Sequence, residues 1–387
     1  MAEFTRQLVE PLARDAGFSA AAIVAVPAPG SAEDREERAR FTAWVDEGRA
    51  GEMEYLQRRD DAGALLRSSV RVALPWARSV IVCAANYNAA QPRSTDPAPQ
   101  DAGWIARYAW SSKAATAQDG SVEARPSDYH KVLKRRLESL RERLVDAVGS
   151  FESRCFVDTG PVVERVYARY AGIGWTGKNT CILSEKLGSW IFLGVIVTSL
   201  EFSAQTDATS VPALLAPDRC GSCTRCIDAC PTQALTGPRQ MDATRCISYL
   251  TIEKRGSIPE ELRSLMGRQV FGCDICQDVC PWNRRAPIAA DPELAPRPAL
   301  VNPALAGLAE MDEATWESWF NGSPVRRAQY SGFRRNLAIA MGNSGQQEFR
   351  ATLRAWAEEA DPVLAESARW ALAELDQEQK QTQTLAG

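Results

Sequence analysis

Eight of the eleven cysteines fall into two runs, and their spacing is typical of thiolates that hold a redox-active metal cluster. The first run has the form C-x2-C-x2-C-x3-C-P and begins at Cys220. In the second, Cys246 stands alone and C-x2-C-x3-C-P begins at Cys273. Thiolates at this spacing hold [4Fe-4S] clusters, and in two-cluster proteins the cysteine before the proline ligates the other cluster. The sequence therefore predicts two clusters that move single electrons.

That crossing rule assigns each thiol to a cluster. Cluster one is predicted to take Cys220, Cys223, Cys226 and Cys280. Cluster two is predicted to take Cys230, Cys246, Cys273 and Cys276. Cys246 precedes Cys273 by 27 residues instead of three. Because an insertion has lengthened this ligand loop, a simple electron-carrier ferredoxin fits the chain less well.

Zinc and disulfides are the alternatives for these cysteines. Zinc held by four cysteines prefers paired C-x2-C knuckles, whereas triple runs ending in Cys-Pro favour iron–sulfur clusters. Disulfides require an oxidising compartment, but the first residues contain acids and lack the apolar segment of a signal peptide. No apolar stretch approaches the ~18 residues of a membrane span. We therefore expect a cytoplasmic protein without membrane contact.

Three further cysteines stand outside the two runs. Each lies in or beside an apolar segment, and such thiols are usually buried and inert. This interpretation applies to Cys83, Cys155 and Cys181.

The chain is long enough for two or three domains, and its hydrophobic content of 45% supports real cores. Residues 1–205 are predicted to form an α/β (α+β) domain. Apolar runs at 20–26, 79–85 and 190–200 indicate strands, and a helix-periodic stretch over 132–148 indicates an amphipathic helix. Ser127 or Asp128 would cap that helix. Alternating strands and helices favour a sheet covered by helices.

The remaining chain divides into four predicted parts. Residues 206–285 form the ferredoxin-like cluster domain, and residues 286–323 form a Pro-rich linker and helix. Residues 324–376 are predicted to be helical, and the similarity of 333–342 to 364–373 suggests HEAT-like repeats, although an ordinary helical hairpin would also fit. Residues 377–387 lack apolar periodicity and are expected to be disordered.

Taken one at a time, the sequence motifs give only weak support for a second cofactor besides the clusters. No GxGxxG opens a dinucleotide-binding site and no P-loop is present, so flavin and nicotinamide cofactors lack support. His130 is the only histidine, which excludes schemes that need two imidazoles. The stretch from Asp128 to Leu133 begins the cobalamin motif D-x-H-x-x-G but lacks its glycine. Asp128 is already explained as a helix cap, so cobalt ligation by His130 is the less favoured alternative.

Several segments in order resemble epoxyqueuosine reductase, a cobalamin-dependent iron–sulfur enzyme family of tRNA modification. The resemblance covers most of the chain. Besides the run at Cys220, the segments that carry it are 127–133 (SDYHKVL), 157–161 (VDTGP), 172–179 (GIGWTGKN), 187–190 (LGSW), 245–251 (RCISYLT) and 271–277 (FGCDICQ).

The resemblance implies a fold, cofactors and a reaction. Base-off cobalamin would lie on the N-terminal domain with two [4Fe-4S] clusters beside it, and a HEAT-like C-terminal domain would grip tRNA. The reaction would remove the epoxide oxygen of epoxyqueuosine at the wobble position and leave queuosine. A low-potential donor would supply electrons, because ferredoxin-type clusters reach roughly −400 mV. We expect the chain to act as a monomer.

The resemblance also implies site residues. The family's proton donor matches Asp158, whose pKa we expect desolvation to raise; taken alone, Asp158 is better explained as a turn residue. Glycines at 172, 174 and 177 could let backbone approach a flat ligand, or could simply form a loop with a solvated lysine. The residues that the resemblance places near the corrin are Arg67, Lys178, Asn179 and Ser248.

The chain departs from the family pattern after the segment 107–110. Residues 111–125 look like a polar insertion and are expected to form a surface loop. A role of this segment as a lid is a hypothesis, which unchanged turnover after deletion of residues 112–124 would exclude.

Contacts to an anticodon loop would combine aromatic stacking with phosphate binding. The best phosphate candidates are Arg326, Arg327, Arg334 and Arg335, although most charge runs are solvated helix faces. Two other functions remain open. A reductive dehalogenase has a similar layout but usually carries a twin-arginine signal, and an electron-transfer subunit would leave the N-terminal domain without a task.

Overall fold

The protein is described by a computed structural model that covers residues 2–116, 122–202 and 216–386. The predicted domain boundary at 205–206 lies outside the described residues, as do residues 117–121 of the predicted insertion and Gly387. The strands are β1 Ala20–Ala25, β2 Ser79–Asn86, β3 Trp104–Ile105, β4 Ser111–Thr116, β5 Val122–Pro126, β6 Ser153–Phe156, β7 Trp175–Thr176, β8 Ile182–Leu183, β9 Ile191–Thr198, β10 Gln269–Phe271 and β11 Ala295–Pro296.

The helices range in length from four residues to the 25 residues of α15. They are α1 Arg6–Asp15, α2 Ala32–Asp46, α3 Glu54–Gln57, α4 Val70–Ala73, α5 Tyr129–Val148, α6 Glu164–Tyr170, α7 Arg225–Asp228, α8 Ile247–Ile252, α9 Glu260–Arg263, α10 Ile275–Asp278, α11 Leu305–Ala309, α12 Glu313–Trp319, α13 Gln329–Asn343, α14 Arg350–Ala357 and α15 Pro362–Ala386. Within the described ranges, none of them combines the length and apolar character needed to cross a bilayer.

The N-terminal half is organised by a four-stranded sheet in the order β1-β2-β9-β6, in which every pairing is antiparallel. The three strands predicted from apolar runs are β1, β2 and β9, so that prediction is confirmed. Strand β2 is buried along its whole length. A central strand covered on both faces explains why its sequence is a continuous apolar run and not an alternating one.

Helices cover both faces of this sheet. Ile81 and Ile196 pack with the apolar side of α5, while Val82 and Val195 face α6 on the other side. Helix α5 approaches β9 closely at Gly194, where a Cβ atom would lie 3.0 Å from Leu137 Cδ1. Because successive side chains of a strand point to opposite faces, one strand can support two helical layers.

The predicted insertion is a β-hairpin and not a loop. Strands β4 and β5 pair antiparallel, and β11 pairs with the other edge of β4. Ser112 is buried and its hydroxyl donates to the Ala295 carbonyl at 3.1 Å, which fixes the base of the hairpin to the Pro-rich segment. The prediction erred because this pairing partner lies about 180 residues away in the sequence. The surface position was expected correctly, since Val122 is 75% exposed.

The C-terminal helices α13 and α15 pack closely, because a Cβ atom at Gly342 would lie 2.8 Å from the Ala371 Cα. The two self-similar segments lie on these helices, and the HEAT-like architecture stays a prediction. The expected disorder after residue 376 is wrong, since α15 runs to Ala386. Its last residues are mostly Gln, Glu, Lys and Ala, which extend a nucleated helix without apolar periodicity.

One apolar core joins segments that the predicted domain boundaries separate. Strand β3 pairs in parallel with β10 beside the second cysteine run. Trp110, Phe271 and Phe333 belong to the same buried cluster, although they come from the three predicted domains. The cluster region is therefore packed between the sheet domain and the C-terminal helices.

Arg335 is part of this packing and is not a free phosphate contact. Its side chain is 2% exposed, and its guanidinium donates to the carbonyls of Leu250, Lys254 and Gly256 at 2.7 to 2.9 Å. These carbonyls lie in or just after α8, so Arg335 ties α13 to the cluster region. The prediction of a nucleic-acid contact at Arg335 is wrong, because a buried carbonyl-bound guanidinium cannot face a ligand.

Replacing Arg335 with Ala is expected to lower the free energy of unfolding by about 3 kcal/mol, because it leaves several buried carbonyls without donors. Arg326→Ala is the matched control, since Arg326 is exposed and faces Glu317 at 3.4 Å. That change is expected to cost about 0.5 kcal/mol or less. Chemical denaturation of both variants measures the difference. Equal stability of the two variants would contradict the structural role of Arg335.

Candidate functional site

The eight cysteines of the two runs lie in two groups. Burial and then the nearby thiols of Cys220 and Cys226 raise the pKa of Cys280 to about 11. Burial and the thiols of Cys246 and Cys230 raise the pKa of Cys273 well above its usual value. Cys280 thus lies with the first run and Cys230 with the second group, which is the crossed arrangement that the spacing predicts.

The remaining members join the same groups. Burial and the thiols of Cys220 and Cys223 raise the pKa of Cys226. Cys276 is close to Cys273 and Cys246. The described residues contain no set of three or more His, Cys, Asp or Glu side chains arranged around a single metal ion. Four thiols per group instead fit a four-iron cluster, whose ligands surround a larger core than one ion.

Backbone N–H groups support the cluster-two thiols. Burial raises the pKa of Cys246, and hydrogen bonds from the backbone N–H groups of Tyr249 and Ser248 oppose that rise. Such N–H groups at cluster sulfurs favour the negative charge of the thiolate. The short helix α8, which begins directly after Cys246, is the element that directs them.

The three cysteines outside the runs differ from one another. Cys83 is fully buried and Cys155 is 7% exposed, as predicted for inert thiols. Cys181 contradicts that prediction, because it is only half-buried and its thiol hydrogen-bonds with Cys276, which lowers the pKa of Cys181 to about 7. The hairpin of β7 and β8 brings Cys181 to cluster two. Sequence reasoning missed this contact because nothing local pairs residues 181 and 276.

Two of the predicted cofactor residues flank cluster two. Asn179 is 3% exposed, and its side-chain amide donates to the Cys276 carbonyl at 3.3 Å. Ser248 is half-buried two residues after Cys246. Lys178 points elsewhere, since its amine donates to the Gly221 carbonyl of the cluster-one loop at 2.7 Å.

The glycines before Lys178 serve the chain's own packing. A Cβ atom at Gly174 would lie 2.2 Å from the Leu183 carbonyl oxygen, and one at Gly177 would lie 2.7 Å from Leu183 Cδ1. These glycines therefore allow β7 and β8 to approach each other. The structure favours the loop interpretation over backbone approach to a flat ligand.

Asp158 lies two residues after the end of β6, at the centre of a second group of polar side chains. Its φ of +61° is left-handed, a conformation that costs a non-glycine residue free energy and is concentrated at functional sites. The Tyr129 hydroxyl donates to its carboxylate at 2.9 Å, and His130 Nε2 lies 3.7 Å from the same oxygen. The Asp158 side chain is still 68% exposed, so these partners leave it open to a ligand.

The peptide at Asp158 is held on both sides. Its N–H donates to the Glu164 carboxylate at 2.9 Å, and its carbonyl accepts from Arg67 at 3.3 Å. Glu164 is buried, and this burial together with the Asp158 charge raises the pKa of Glu164 to about 7. Arg67 is therefore placed beside Asp158, as the resemblance implies. We call Asp158, Tyr129, His130, Glu164 and Arg67 the Asp158 site.

The proton of the Asp158 site resides on His130. Burial disfavours the imidazolium, but the hydrogen bond to Asp128 and the nearby Asp158 carboxylate outweigh burial and raise the pKa of His130 to about 9. Partial desolvation by the surrounding protein disfavours the Asp158 carboxylate as well, yet the nearby His130 imidazolium and the hydrogen bond from Tyr129 lower the pKa of Asp158 to about 2. The predicted rise in the Asp158 pKa is therefore wrong, because its partners are cationic or hydrogen-bond donors.

His130 offers no free nitrogen to a metal. Its Nδ1 lies 2.8 Å from the Asp128 carboxylate, and its Nε2 faces Asp158. Asp128 also caps α5 by accepting from the His130 backbone N–H at 3.0 Å. The cap interpretation of the Asp-Tyr-His segment holds, and both nitrogens are engaged by carboxylates. This arrangement does not fit cobalt ligation by His130.

One tyrosine and two arginines border the Asp158 site. Tyr55 is 37% exposed and lies between two guanidinium groups, those of Arg67 and Arg327, each 5.2 Å from the ring centroid. Arg327 also hydrogen-bonds to Glu253, the residue that follows α8. One of the predicted phosphate contacts is thus close to the catalytic candidate, although 169 residues separate them.

The other arginine candidates differ in accessibility. Arg326 keeps 46% of its side chain exposed. Arg334 keeps only 17%, because its guanidinium hydrogen-bonds to Glu359 and lies 4.8 Å from the Trp356 ring centroid. Arg326 and Arg327 remain open to a ligand, whereas Arg334 is largely committed within the protein.

Sequence reasoning missed Glu164 as a partner of Asp158 and Tyr129 as its hydrogen-bond donor. Tyr129 lies inside the Asp-Tyr-His segment, so a signal for it was present. Glu164 follows Asp158 by six residues at the start of α6. No spacing rule identifies such a loop contact.

Comparison with known proteins defines the class. Residues 219–283 match a 4Fe-4S double cluster binding domain, which makes the chain an iron–sulfur protein. Residues 67–159 match the family described as "Epoxyqueuosine reductase QueG, DUF1730". The epoxyqueuosine reductase of Xanthomonas campestris pv. campestris is 37% identical over 367 residues, which are 95% of this chain and 95% of that protein.

The chain therefore belongs to the epoxyqueuosine reductase family. A crystal structure of epoxyqueuosine reductase with an epoxyqueuosine-modified tRNA-Tyr stem loop is 27% identical, with a TM-score of 0.78 over 95% of this chain and 90% of that chain. An epoxyqueuosine reductase structure from Bacillus subtilis, with its catalytic aspartate loop swung out of the active site, is 26% identical, with a TM-score of 0.77 over 95% and 90% of the two chains.

Single Cys→Ser changes test the crossed cluster assignment. Each variant is expected to lose one cluster and keep about half of the iron, because one missing thiolate removes a quarter of a cluster's ligands. EPR spectra of the reduced proteins should pair Cys226→Ser with Cys280→Ser, and Cys230→Ser with Cys273→Ser. Cys155→Ser should keep both clusters as the control. A spectrum of Cys230→Ser that matches Cys226→Ser would contradict the crossing.

Because His130 is the only histidine, its titration can be followed as one imidazole resonance by NMR. The pKa of His130 is expected at about 9 in the wild type. Asp158→Asn removes one of the two carboxylates that stabilise the imidazolium and should lower the pKa of His130. Asp146→Asn, an exposed change on the same helix, should leave it unaltered. A wild-type value at or below 6.5 would refute this charge arrangement.

Proposed function

We propose that the protein removes the epoxide oxygen of epoxyqueuosine at the wobble position of tRNA and produces queuosine. The overall step consumes two electrons and two protons, breaks both C–O bonds of the epoxide and releases water. The observation that carries this proposal is an exposed carboxylate, Asp158, beside a protonated imidazole in a chain with two groups of four thiols. Family membership supports the same reaction.

We further propose two [4Fe-4S] clusters and cobalamin as the cofactors. Cobalamin, when bound and reduced, supplies a low-potential cobalt nucleophile. Arg67 at Asp158 and Ser248 at cluster two are the residues proposed to hold it, while the buried Asn179 is proposed to support the Cys276 loop beside them. Their positions fit a cofactor that lies between the clusters and Asp158, because Arg67 borders the exposed carboxylate and the cluster-two residues border the thiols. Lys178 is not assigned to the corrin, because its amine is bound in the cluster-one loop.

Asp158 is proposed to conduct a proton to the departing oxygen. His130 holds that proton at neutral pH, and its Nε2 lies 3.7 Å from the Asp158 oxygen that also accepts from Tyr129. Asp128 stabilises the imidazolium from the opposite side. Asp158 then acts as the final proton donor, and His130 is the positioning and proton-storing residue behind it.

The substrate is proposed to reach this site as an unstacked base of the anticodon loop. The face of a base can stack on an aromatic ring or a guanidinium plane, and Tyr55 with Arg67 and Arg327 presents both at the Asp158 site. Arg326 would bind phosphate nearby. The relative solved with a tRNA stem loop supports an RNA substrate. We propose a cytoplasmic monomer that receives electrons from a low-potential donor.

Asp158→Asn is expected to lower turnover by about 100-fold or more, because general acid catalysis typically contributes that much. The assay incubates anaerobically purified protein with an epoxide-bearing anticodon stem-loop and analyses the digested nucleosides by mass spectrometry. Iron content and the cobalamin absorption spectrum should match the wild type, and Asp146→Asn should turn over normally. Wild-type turnover by the Asp158→Asn variant would refute the assigned role of Asp158.

A further inference from the structure

Cluster one is the cluster closest to the surface. The residues between its first three cysteines are exposed, among them Gly221, Ser222 and Thr224. The neighbours of the cluster-two cysteines are buried instead, including Ile247 and Asp274. An electron that enters from solution therefore meets cluster one first.

Cluster two lies on the side of the Asp158 site. Cys181 contacts Cys276, and the Arg165 guanidinium donates to the carbonyl of Thr180, the residue before Cys181, at 3.3 Å. Desolvation raises the pKa of Asp158, His130 and Tyr129 lower it, and Arg165 lowers it to a smaller extent. The order from the surface inward is cluster one, cluster two and the Asp158 site.

Four exposed cations surround the cluster-one loop. We call them the cluster-one rim: Lys186, Arg225, Arg284 and Arg285. Within residues 2–116, 122–202 and 216–386, none of the four has an ion-pair partner. Arg225 begins α7 inside the first cysteine run, and Arg284 and Arg285 follow Cys280 by four and five residues.

The fold brings Lys186 to this loop. The backbone N–H of Ser189 donates to the Asn283 side chain at 2.7 Å, so the turn that carries Lys186 packs against the segment after Cys280. Glu185 forms an ion pair with Arg219, the residue before Cys220. Lys186 therefore stands beside the same loop as the three arginines.

Two of the three acids near the rim form ion pairs with other arginines, and the third accepts a hydrogen bond from a hydroxyl. Glu185 binds Arg219, Asp218 binds Arg239, and the Asp228 carboxylate accepts from the Thr224 hydroxyl at 2.7 Å. Among the described residues, the rim thus has four cations without an ion-pair partner and one nearby unpaired acid, Asp228, on a chain whose formal net charge is −4. Such a patch on a mildly acidic protein attracts an acidic partner specifically to one place.

We propose that the cluster-one rim is the docking surface for an acidic one-electron carrier protein, which reduces cluster one through the exposed ligand loop. The proposal rests on the proposed function, since it requires cluster one to be present. One electron leaves the carrier and enters the cluster, so the carrier is oxidised and the cluster is reduced, with no bond made or broken. Exposed Pro281 and half-exposed Trp282 precede Arg284 and Arg285 in the chain and offer apolar surface beside them.

A protein carrier fits this surface better than RNA does. The rim encloses the ligand loop of the outer cluster, where electrons must enter. The cations that border the Asp158 site, Arg67 and Arg327, are a separate set. Electrostatic complementarity mainly raises the association rate and makes it dependent on salt.

The test measures reduction of the cluster-loaded protein by a reduced acidic [2Fe-2S] ferredoxin in stopped flow. Arg284→Glu/Arg285→Glu is expected to lower the second-order rate constant at least tenfold at low ionic strength. The wild-type rate should fall steeply with salt, and the variant rate should change little. Lys186→Glu/Arg225→Glu is a second pair, expected to act in the same direction.

Lys134→Glu/Arg154→Glu is the matched control, because it makes the same charge change at exposed residues of α5 and β6. It should leave the rate within about twofold of the wild type. An equal loss in this control, or unchanged rates in both rim variants, would overturn the proposal. So would loss of stem-loop binding by the rim variants with normal electron transfer, which would identify an RNA surface.

Dithionite separates this proposal from the proposed function. It should reduce the clusters of wild type and variants to the same extent, because a small reductant does not need the docking surface. Intact, dithionite-reducible clusters with charge-independent transfer from ferredoxin would refute the docking surface alone. A protein that takes up no clusters under reconstitution would overturn the proposed function and the docking surface together.

Discussion

The crossing of the two cysteine runs is the constraint on which the rest of the structure depends. Cys280 must lie with the first run and Cys230 with the second group, so neither run can complete its thiol group alone. This requirement folds residues 220–280 into one unit. It also directs α8 inward. There Arg335 of α13 donates hydrogen bonds to carbonyls of the turn that follows α8, and so holds this turn against the C-terminal helices. The buried core shared by Trp110, Phe271 and the helical region then holds the sheet domain against this unit.

The Asp158 site shows a second consequence of this packing. Asp158 follows an edge strand of the sheet, and α5 brings Tyr129 and the single histidine to it. Two carboxylates on either side of one imidazole hold a proton in a place that solvent can still reach. The strained backbone at Asp158 is offset by hydrogen bonds to Glu164 and Arg67. The site therefore holds a positive charge on His130 and leaves the Asp158 carboxylate exposed to solvent.

Local patterns allowed correct prediction where a local rule exists. Cysteine spacing indicated the two thiol groups, apolar runs located β1, β2 and β9, and an Asp before an amphipathic stretch located the start of α5. Contacts between distant segments escaped prediction. The burial of Arg335, the position of Cys181 and the pairing of β4 with β11 all depend on partners far along the chain. The Asp158 pKa was predicted in the wrong direction, because burial was weighed without its hydrogen-bond donors.

The central claim is that two four-thiol groups and the Asp158 site serve one chain of electron transfer that ends at a cobalt centre. The most direct measurement is the content of iron, acid-labile sulfide and cobalt in protein reconstituted anaerobically with cobalamin. The account predicts about eight iron, eight sulfide and one cobalt per chain. Four or fewer iron atoms, or eight iron atoms without bound cobalt, would contradict it.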